Sequence, residues 1–332
     1  MNPTPIIELI EAFRRSKTMF AAVELGIFDL TPADLHGICA KLSANAGALE
    51  RLLDGCVGLG LLERDGSVYR NTEIAERYLR RDSADSLTGY ILYSNSVLFQ
   101  MWAHLEDAVK DGTNRWQQTF GSDGPIFEHF FKTDDAMRTF LNGMHGLGML
   151  SSPPVVAAFD LSGFRRLVDL GGATGHLAIA AAQRYPGLSS AVFDLPRAIA
   201  ALSLPDGRGS VTNGVEFIAG DFFEDPLPEA DLYALGRILH DWSEPKIVRL
   251  LDKIFEALPA GGGLLIAEKL IAPDRSGPVS AHMQSLNMLI CTEGKERTAE
   301  EYTTLLKAAG FTRVEERLTG APLDAVLARK SG

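Results

Sequence analysis

His240, Glu268 and Glu296 are the residues of this sequence that best suit acid–base chemistry. His240 lies in RILHDW after the strand-like run DLYAL, Glu268 ends the run GLLIAE, and Glu296 lies in TEGKERT before a helix. Open α/β sheets place ligands at the carboxyl ends of their strands, so both carboxylates could converge on the imidazole. A carboxylate that accepts one imidazole N–H fixes the tautomer, which leaves the other nitrogen to take a proton from a hydroxyl group.

Each of these three residues also has a purely structural interpretation. A single histidine is more often a hydrogen-bonded residue of the core or surface than a catalytic base. Glu268 could be a solvated strand end, and Glu296 could stabilise the N-terminus of the following helix. The residue types and positions alone leave both interpretations open.

A glycine-rich turn is the second feature that suggests a ligand. The segment LVDLGGATGHLAIAAAQRYPG reads as a strand, a turn with Gly171, Gly172 and Gly175, and a helix, and Asp194 ends the next strand in AVFDLP. Glycines let a ligand approach the backbone, and the helix N-terminus offers free N–H groups. A carboxylate about 20 residues on can accept both ribose hydroxyls, so the turn suits a nicotinamide dinucleotide or S-adenosylmethionine equally well.

Two acidic residues favour S-adenosylmethionine. Asp169 precedes Gly171, where the dinucleotide pattern usually has an apolar residue, and a carboxylate there suits a cationic amine and sulfonium but repels a pyrophosphate. Asp221, in AGDFFEDPLP, follows the next strand, where an adenine amine needs an acceptor, and Phe222 could stack on the ring. The sequence therefore predicts a sulfonium methyl donor, with S-adenosylhomocysteine as the product.

Two apolar stripes are candidates for contact with the methyl acceptor. Met283, Asn287 and Cys291 recur at four-residue steps in a predicted helix, and Asn287 could bind a polar group of the acceptor or pair with backbone. Phe140 and Met144 form another stripe, which is more often core than pocket. A phenol has a pKa of about 10 and a histidine about 6.5, so the proton should leave as the methyl arrives.

Strand–helix alternation after residue 160 predicts an α/β domain that positions these residues. The strand-like runs RLVDL, SAVFD, VEFIA, DLYAL and GLLIAE alternate with helical segments, which indicates a parallel sheet, and an antiparallel hairpin at the C-terminus closes it. Before residue 150 the chain reads as helical, with a hairpin at Asp65-Gly66, a long helix over 83–110, and a break at Pro153-Pro154. We predict three parts, which span residues 1–95, 96–155 and 156–332. The second is a helical connection that lines the acceptor pocket.

Composition excludes several classes of protein. The 332 residues are 46% hydrophobic and 23% charged, and no run approaches the ~18 apolar residues of a membrane span. A net charge of −11 disfavours nucleic acid as a partner. The three scattered cysteines fit neither a disulfide framework nor a zinc site, and no ligands recur at metal-binding spacing, so we expect a cytoplasmic, metal-free protein.

Motifs along nearly the whole chain resemble the aromatic O-methyltransferase family of plant caffeate and flavonoid enzymes, and most strongly its hydroxyindole subgroup. The motifs are SKTMFAAVELGIFDL, YRNTEIAERYL, LVDLGGATG, AVFDLP, GDFFEDPLPEADLY, RILHDW, LPAGGGLLIAE, SLNMLICTEGKERT and TGAPLDAVLARK. The resemblance implies a class I S-adenosylmethionine methyltransferase fold, Rossmann-like with a seven-stranded sheet and an antiparallel last strand. It also implies a winged-helix-like N-terminal domain that forms a homodimer.

The family pattern assigns roles to individual positions. It implies that His240 is the general base, with Glu268 and Glu296 beside it and Asp241 adjacent, and that Asn287 contacts a small aromatic hydroxyl substrate. The positions that would hold the donor are Gly171, Asp194, Leu195, Asp221, Phe222 and Arg237. The sequence departs from the pattern at Ala173, where the family usually has glycine. It also departs at Gly148, where the subgroup has a large aromatic residue, and at Cys291, where it has glutamine.

Two other functions remain as alternatives. A winged-helix regulator would need a basic face, but residues 33–71 mix both signs of charge. A relative could bind the donor and perform decarboxylation or hydroxylation instead of methyl transfer, although the presence of His240 with both glutamates argues against it.

Overall fold

The chain divides into two units by its internal contacts, Met1–Phe99 and Gln100–Gly332. The computed structural model of the chain describes residues 1–121, 124, 133–202 and 214–332. The three-part division at residues 95 and 155 stays a prediction.

Six α-helices make up most of the first unit, and polar caps determine where two of them begin. The side chains of Asp34 and Asn45 accept hydrogen bonds from backbone N–H groups of the first helical turn, which satisfies donors that have no partner within the helix. The helices are α1 (Thr4–Glu24), α2 (Ile27–Leu30), α3 (Leu35–Leu42), α4 (Ala46–Gly58), α5 (Glu73–Tyr78) and α6 (Thr88–Tyr93).

A three-stranded antiparallel sheet completes the first unit. Its strands are β1 (Ala33–Asp34), β2 (Leu62–Asp65) and β3 (Val68–Asn71), in the order β1-β3-β2. The hairpin predicted at Asp65-Gly66 is confirmed, because β2 and β3 pair directly across it. The order of two helices followed by a hairpin is therefore present.

Helix α1 leaves an apolar face uncovered within its unit. Ile6, Leu9, Ile10 and Phe13 are between 56% and 72% exposed, whereas Val23 near the end of the helix is buried in the core. An apolar stripe of this length on the surface of a small unit marks an interaction surface.

The segment between residues 83 and 110 differs from the prediction of one long helix. After α6 the chain forms a π-helical turn (Ser94–Leu98), α7 (Phe99–Met101), a 3₁₀ turn (Trp102–His104) and α8 (Leu105–Asp111). The Ser96 hydroxyl donates to the Leu92 carbonyl, and such side-chain bonds compete with the regular helical ladder. The periodic apolar pattern did not reveal these interruptions.

Among its described residues, the second unit has seven further helices, and one of them contains two prolines. The helices are α9 (Trp116–Phe120), α10 (Asp134–Ala157), α11 (His176–Arg184), α12 (Pro196–Ala201), α13 (Glu244–Ala257), α14 (Val279–Cys291) and α15 (Ala299–Ala308). The predicted break at Pro153-Pro154 is wrong, since α10 continues through both residues. The Ser151 hydroxyl, two residues before Pro153, donates to the Leu147 carbonyl within the same helix.

Seven strands form the sheet of the second unit, and the predicted fold class is confirmed. They are β4 (Arg166–Leu170), β5 (Ser189–Asp194), β6 (Glu216–Ala219), β7 (Leu232–Gly236), β8 (Gly263–Glu268), β9 (Arg313–Arg317) and β10 (Asp324–Arg329). Their order is β6-β5-β4-β7-β8-β10-β9, parallel from β6 to β8, with β10 antiparallel to both of its neighbours.

The strand order reverses beside β4, and this reversal locates the site. The chain runs from β4 outward to β5 and β6 and then crosses to β7 on the opposite side. Helices that follow neighbouring strands diverge at such a point and leave a crevice at the carboxyl ends. The predicted site residues of β4, β5, β7 and β8 all lie at that edge.

Candidate active site

His240 lies in a buried 3₁₀ turn, Leu239–Asp241, just beyond the end of β7. Its Nδ1 is 2.6 Å from Oε1 of Glu296 and 3.1 Å from Oε2 of Glu268. Its Nε2 is 3.7 Å from Oδ1 of Asp241, too long for a hydrogen bond. The predicted convergence on the imidazole is therefore present, and Nε2 is the nitrogen left for a reacting group.

Glu268 also holds the backbone of the turn that carries His240. Its Oε1 accepts from the N–H groups of Ile238 at 3.1 Å, Leu239 at 3.0 Å and His240 at 3.4 Å. Three successive N–H groups directed at one oxygen form an anion-binding nest, and the carboxylate fills it. Glu268 is fully buried, so this contact fixes the turn from beneath.

The carboxylates decide the charge of the imidazole. Burial by itself lowers the pKa of His240, but the three surrounding carboxylates raise it to about 10. Burial raises the pKa of Asp241 to about 6, and the positive charge of His240 opposes this increase. In the absence of other charges, His240 is therefore an imidazolium at neutral pH.

The segment after α14 brings Glu296 to His240 and packs closely on its backbone. A Cβ atom on Gly294 would lie 2.2 Å from the carbonyl oxygen of His240, so only glycine fits there. The buried Arg297 donates from Nη1 to the carbonyls of Lys295 at 3.0 Å and Leu239 at 3.4 Å, which ties the two loops together. Neither residue was singled out from the sequence, because their contacts join segments about 55 positions apart.

At the glycine turn, Asp194 joins the turn to the end of β5. Its Oδ2 accepts from the N–H of Ala173 at 2.8 Å, and its Oδ1 accepts from the N–H of Leu195 at 2.7 Å. Ala173 has a φ of 49°, a left-handed conformation that favours glycine and costs an L-residue about 1 kcal/mol. The turn thus accepts alanine in place of the family's glycine at position 173, with some backbone strain.

Asp169 is a buried carboxylate with no hydrogen bond of normal length and angle among the residues that the structure describes. It is 1% exposed, and the backbone N–H of Ala178 is close enough to act against the increase in its pKa. Burial and the neighbouring charge of Asp194 raise the pKa of Asp169 to about 8. A Cβ atom on Gly172 would lie 2.5 Å from Oδ2 of Asp169, so the turn closes tightly over the carboxylate. An unpaired buried carboxylate fits a cationic ligand.

The remaining predicted donor residues surround the same turn. A Cβ atom on Gly171 would lie 2.5 Å from Ile238 and 3.3 Å from the ring of Phe222. Gly175 precedes α11 directly. Asp221 lies just beyond β6, and its Oδ1 accepts from the N–H of Phe223 at 2.8 Å, so this oxygen is partly occupied.

Arg237 follows β7 in a left-handed conformation, with a φ of 57°. Its N–H donates to the Ala267 carbonyl at 3.0 Å, which extends the parallel pairing one residue beyond the strand. Its positive charge contributes to lowering the pKa of His176 and of Asp241.

The acceptor candidates lie on α10 and α14. Asn287 is half-buried, and its Oδ1 accepts from Nε1 of Trp102 at 3.0 Å. Cys291 is buried, one turn further along α14, and Met283 is 44% exposed. The half-buried Phe140 and Met144 lie on α10. The recorded partner of Asn287 is a tryptophan, and a contact of Asn287 with the acceptor stays a prediction.

Gly148 is explained by a histidine that sequence reasoning missed. A Cβ atom on Gly148 would lie 2.2 Å from the ring of His176, so the imidazole occupies the space that a side chain at position 148 would need. The Oγ atom of Ser152 and Nδ1 of His176 are 2.9 Å apart, and His145 and Thr174 form a second pair at 2.8 Å. Burial lowers the pKa of His176 to about 3, so this ring is neutral.

His240, Glu268 and Glu296 also have the residue types of a metal site, since one ligand atom from each lies within 4.8 Å of the others. Spacing along the sequence could not reveal this group. The Nδ1–Glu296 hydrogen bond and the ion pair with Glu268 account for the arrangement without a metal. Metal independence stays a prediction.

Comparisons with known proteins identify the family. The O-methyltransferase domain profile matches residues 102–312, and the O-methyltransferase dimerisation domain profile matches residues 7–81. Acetylserotonin O-methyltransferase from Gallus gallus is 42% identical over 342 aligned residues, covering 99% of this chain and 97% of that protein.

Solved structures agree with this assignment. The crystal structure of human N-acetylserotonin methyltransferase in complex with SAM is 39% identical, with a TM-score of 0.95 and coverage of 99% of this chain and 97% of that chain. The structure of PigF with SAH is 28% identical, with a TM-score of 0.87 and coverage of 99% and 100%. The chain belongs to the O-methyltransferase family and is an S-adenosylmethionine-dependent O-methyltransferase.

In the part of the chain that the structure describes, no helix has the length and apolar character needed to cross a bilayer. Cytoplasmic location and the absence of a nucleic-acid partner stay predictions.

Proposed function

We propose that this enzyme methylates the hydroxyl of a hydroxyindole-type aromatic acceptor, with His240 as the general base. The observation that carries the base assignment is the contact geometry of His240, whose Nδ1 faces Glu296 and Glu268 while Nε2 stays free of a short contact. The acceptor class rests on the acetylserotonin relatives and on the presence of Asn287 on α14.

The glycine turn and its carboxylates hold the donor in this proposal. Asp194 binds the ribose hydroxyls, Asp221 with Phe222 binds the adenine, and Asp169 attracts the cationic end of the molecule. The two unpartnered oxygens of Asp169 support this role, since they lack a positive charge nearby. Gly171, Gly172, Gly175, Leu195 and Arg237 shape the same site. The bound donor supplies an electrophilic methyl group on a sulfonium.

The acid–base residues prepare the acceptor. His240 must be neutral to act as a base, yet its carboxylates raise its pKa to about 10. A cationic donor beside the turn opposes a second positive charge and lowers the pKa of His240, so that Nε2 becomes free to accept the hydroxyl proton. Glu296 then accepts the Nδ1–H bond, and both glutamates stabilise the imidazolium as the proton arrives.

The acceptor pocket draws on two helices. Met283, Asn287 and Cys291 on α14 and Phe140 and Met144 on α10 are its proposed contacts. Burial raises the pKa of the Cys291 thiol, so Cys291 contributes as a small neutral side chain rather than as a nucleophile. This smaller residue leaves room where the hydroxyindole subgroup has glutamine.

We also infer a homodimer through the N-terminal unit. The chain contains an O-methyltransferase dimerisation domain, and the exposed apolar face of α1 supports its use as the contact surface. Light scattering at micromolar concentration should give twice the chain mass of 36.0 kDa. A monomer at that concentration would refute the inference.

The proposed function is tested by methyl transfer from a labelled donor to a panel of hydroxyindoles and simple phenols, with and without a metal chelator. Hydroxyindoles should give product in both conditions, and His240→Ala should lower turnover by roughly 10²–10⁴-fold at neutral pH. The loss should shrink at high pH, where the phenol ionises without help. Donor binding without any methylated product across the panel would favour the alternative of decarboxylation or hydroxylation.

A further inference from the structure

One face of α10 lies against the segment that leads from the glycine turn into α11. His145, Gly148 and Ser152 recur at steps of three and four residues, so they share one face of the helix. Their partners are Thr174, in the glycine turn, and His176, the first residue of α11. We call these five residues the α10 clamp.

Two side-chain hydrogen bonds fix the ends of the α10 clamp. Nδ1 of His145 and Oγ1 of Thr174 are 2.8 Å apart, and Oγ of Ser152 and Nδ1 of His176 are 2.9 Å apart. Thr174 and Ser152 are both buried, so neither hydroxyl can exchange its partner for bulk water unless the contact opens. Because burial lowers the pKa of His176 to about 3, the ring is neutral and its Nδ1 can accept the proton of the Ser152 hydroxyl.

Between these two bonds, the backbone of α10 touches the imidazole of His176. The three atoms nearest to a Cβ built on Gly148 all belong to this ring, the closest at 2.2 Å. A side chain at position 148 would therefore force the ring to rotate, which breaks its bond to Ser152, or force α10 away from the turn. Gly148 and His176 are thus sterically complementary.

The proposed acceptor contacts of α10 lie on the neighbouring face of the helix. Phe140 and Met144 are four residues apart, so they form a stripe that ends just before His145. A helix transmits displacement as a rigid element, so a shift at the α10 clamp also moves this stripe. The glycine turn and the proposed acceptor contacts are therefore connected through one helix.

We propose that His145, Gly148 and Ser152 are positioning residues that hold the glycine turn in its donor-binding geometry, and that through them donor and acceptor strengthen each other's binding. These residues act through the segment 174–176 and not on the reacting atoms. The effect on the donor needs only the contacts of the α10 clamp. The coupling to the acceptor rests on the proposed function, since it uses the acceptor contacts proposed for α10.

Two adjacent serines provide the first test, by calorimetry with S-adenosylhomocysteine and no acceptor. Ser152→Ala removes the bond to His176 and should weaken binding by about three- to tenfold. Ser151→Ala is the matched control, because Ser151 is also buried but its hydroxyl donates to the carbonyls of Leu147 and Gly148 within α10. The control should bind within twofold of the wild type. Equal affinities in the two variants would overturn the proposal.

Thr174 offers a conservative pair of variants at the other end of the α10 clamp. Thr174→Val keeps the shape of the side chain but loses the hydroxyl, so it should weaken S-adenosylhomocysteine binding about as much as Ser152→Ala. Thr174→Ser keeps the hydroxyl and should bind within about twofold of the wild type. A serine variant as weak as the valine variant would refute the role of the bond to His145.

Gly148→Ala should have the largest effect, a loss of about tenfold or more in affinity for S-adenosylhomocysteine. His176→Ala should lose about three- to tenfold, because the bond to Ser152 is gone. The double variant should bind no more weakly than His176→Ala, since the new methyl group then meets no ring. Additive losses in the double variant would refute the steric pairing of Gly148 with His176.

The coupling between donor and acceptor is a readout that a merely structural role would not change. Affinity for S-adenosylhomocysteine is measured with and without a saturating acceptor that the methyl-transfer panel has identified, so no turnover occurs. In the wild type the acceptor should tighten this binding by about tenfold, and the reverse effect should be equal. Ser152→Ala and Thr174→Val should reduce the factor to below about threefold, whereas Ser151→Ala should keep it. An unchanged factor in both variants would refute the coupling.

The outcomes separate this inference from the proposed function. If a simple phenol but no hydroxyindole is methylated, the acceptor class is refuted, and the phenol then serves as the ligand in the coupling measurement. The comparison of Ser152→Ala with Ser151→Ala needs no acceptor and holds for any methylated compound. Melting temperatures verify that each variant is folded, and if Gly148→Ala does not fold, the Thr174 pair decides whether the α10 clamp holds the turn.

Discussion

Two buried acidic groups lie at the same edge of the sheet, and they differ in whether they hold a cation. The histidine cluster, His240 with Asp241, Glu268 and Glu296, contains its own imidazole at 2.6 Å from one carboxylate. The donor-end pair, Asp169 and Asp194, has no ion pair recorded with any described residue, and both oxygens of Asp169 are unpartnered.

The pKa values follow from this difference. Carboxylates of the histidine cluster stabilise a proton on the imidazole, whereas burial makes Asp169 hold its own proton, with a pKa of about 8, and raises the pKa of Asp194 to about 6. The histidine cluster therefore contains a cation of its own, and one oxygen each of Glu268 and Glu296 is left without a hydrogen bond among the described residues. The negative charge of the donor-end pair is neutralised only when a cationic ligand binds, which suits a sulfonium donor with a protonated amine.

Substitution of Gly294 should disturb the histidine cluster most strongly. In Gly294→Ala, the new Cβ would lie 2.2 Å from the carbonyl oxygen of His240, so the turn must move. A displacement of about 1 Å costs roughly 10²-fold in turnover. Donor affinity, measured by calorimetry, should stay near wild type. Gly163→Ala is the control, because a Cβ there meets nothing within 4 Å. Normal turnover in Gly294→Ala would refute the proposed packing.

Substitution of Asp169 should disturb the donor end alone. Because the pKa of Asp169 is about 8, the carboxyl is protonated below that pH, and a cationic donor must displace the proton. Donor affinity should therefore increase as pH rises from 6 to 9, and calorimetry in two buffers at pH 7 should detect proton release. Asp169→Asn should remove the part of the proton release that comes from this carboxyl group and weaken affinity by roughly 10–100-fold.

The exposed Asp252 on α13 provides the matched control for that charge change. Asp252→Asn should retain both the affinity and the proton release of the wild type. Equal weakening by the two substitutions would show that net charge, rather than the buried carboxylate, attracts the donor.

Glu296→Gln should sharpen the comparison through the pH dependence of turnover. Glu296 contributes to raising the pKa of His240, and the base works only when it is deprotonated, so activity rises with pH. Loss of this negative charge should lower the pH at which turnover increases by about one unit or more. Maximal turnover should fall by about tenfold, less than in His240→Ala, because an amide still accepts the Nδ1–H bond. Glu293→Gln in the same loop is the control, and an unshifted profile in Glu296→Gln would contradict the coupling.

The smallest effect is expected at Ala173 in the glycine turn. Its φ of 49° is strained for alanine, so Ala173→Gly should raise the melting temperature by about 1–2 °C. Its N–H bond to Asp194 does not require the methyl group, so donor affinity should change by less than about threefold. A lower melting temperature would show that the methyl group contributes packing that outweighs the strain.

The sequence predicted those parts of the fold that depend on local pattern. Runs such as RLVDL and GLLIAE are strands because apolar residues predominate in them, and the hairpin at Asp65-Gly66 follows from its turn residues. His240 and Glu268 were singled out because each lies at or just beyond the end of a strand, and Glu296 was singled out from the segment TEGKERT before a helix. The path of α10 through Pro153 was missed, since the loss of a backbone donor marks a possible helix end but does not require one.

Contacts between distant segments explain the remaining gaps. Gly294 looks like an ordinary loop glycine until the backbone of His240 is placed against it, and the space at Gly148 has meaning only beside His176. The partner of Asn287 is Trp102, which lies in a turn that the apolar periodicity had placed inside a regular helix. No spacing rule along the chain encodes these pairs.

One measurement tests the central claim most directly, namely donor affinity and single-turnover methyl transfer in both His240→Ala and Asp169→Asn. The single-turnover rate is taken with donor above its dissociation constant in each variant. His240→Ala should bind the donor at least as tightly as the wild type, because the imidazolium that opposes a cationic donor is gone, and should lose roughly 10²–10⁴-fold in rate at neutral pH. Asp169→Asn should lose roughly 10–100-fold in affinity and retain most of the rate once saturated. The account assigns His240 to the chemical step and Asp169 to donor binding. A wild-type rate in donor-saturated His240→Ala would contradict it, and so would equal losses of affinity in the two variants.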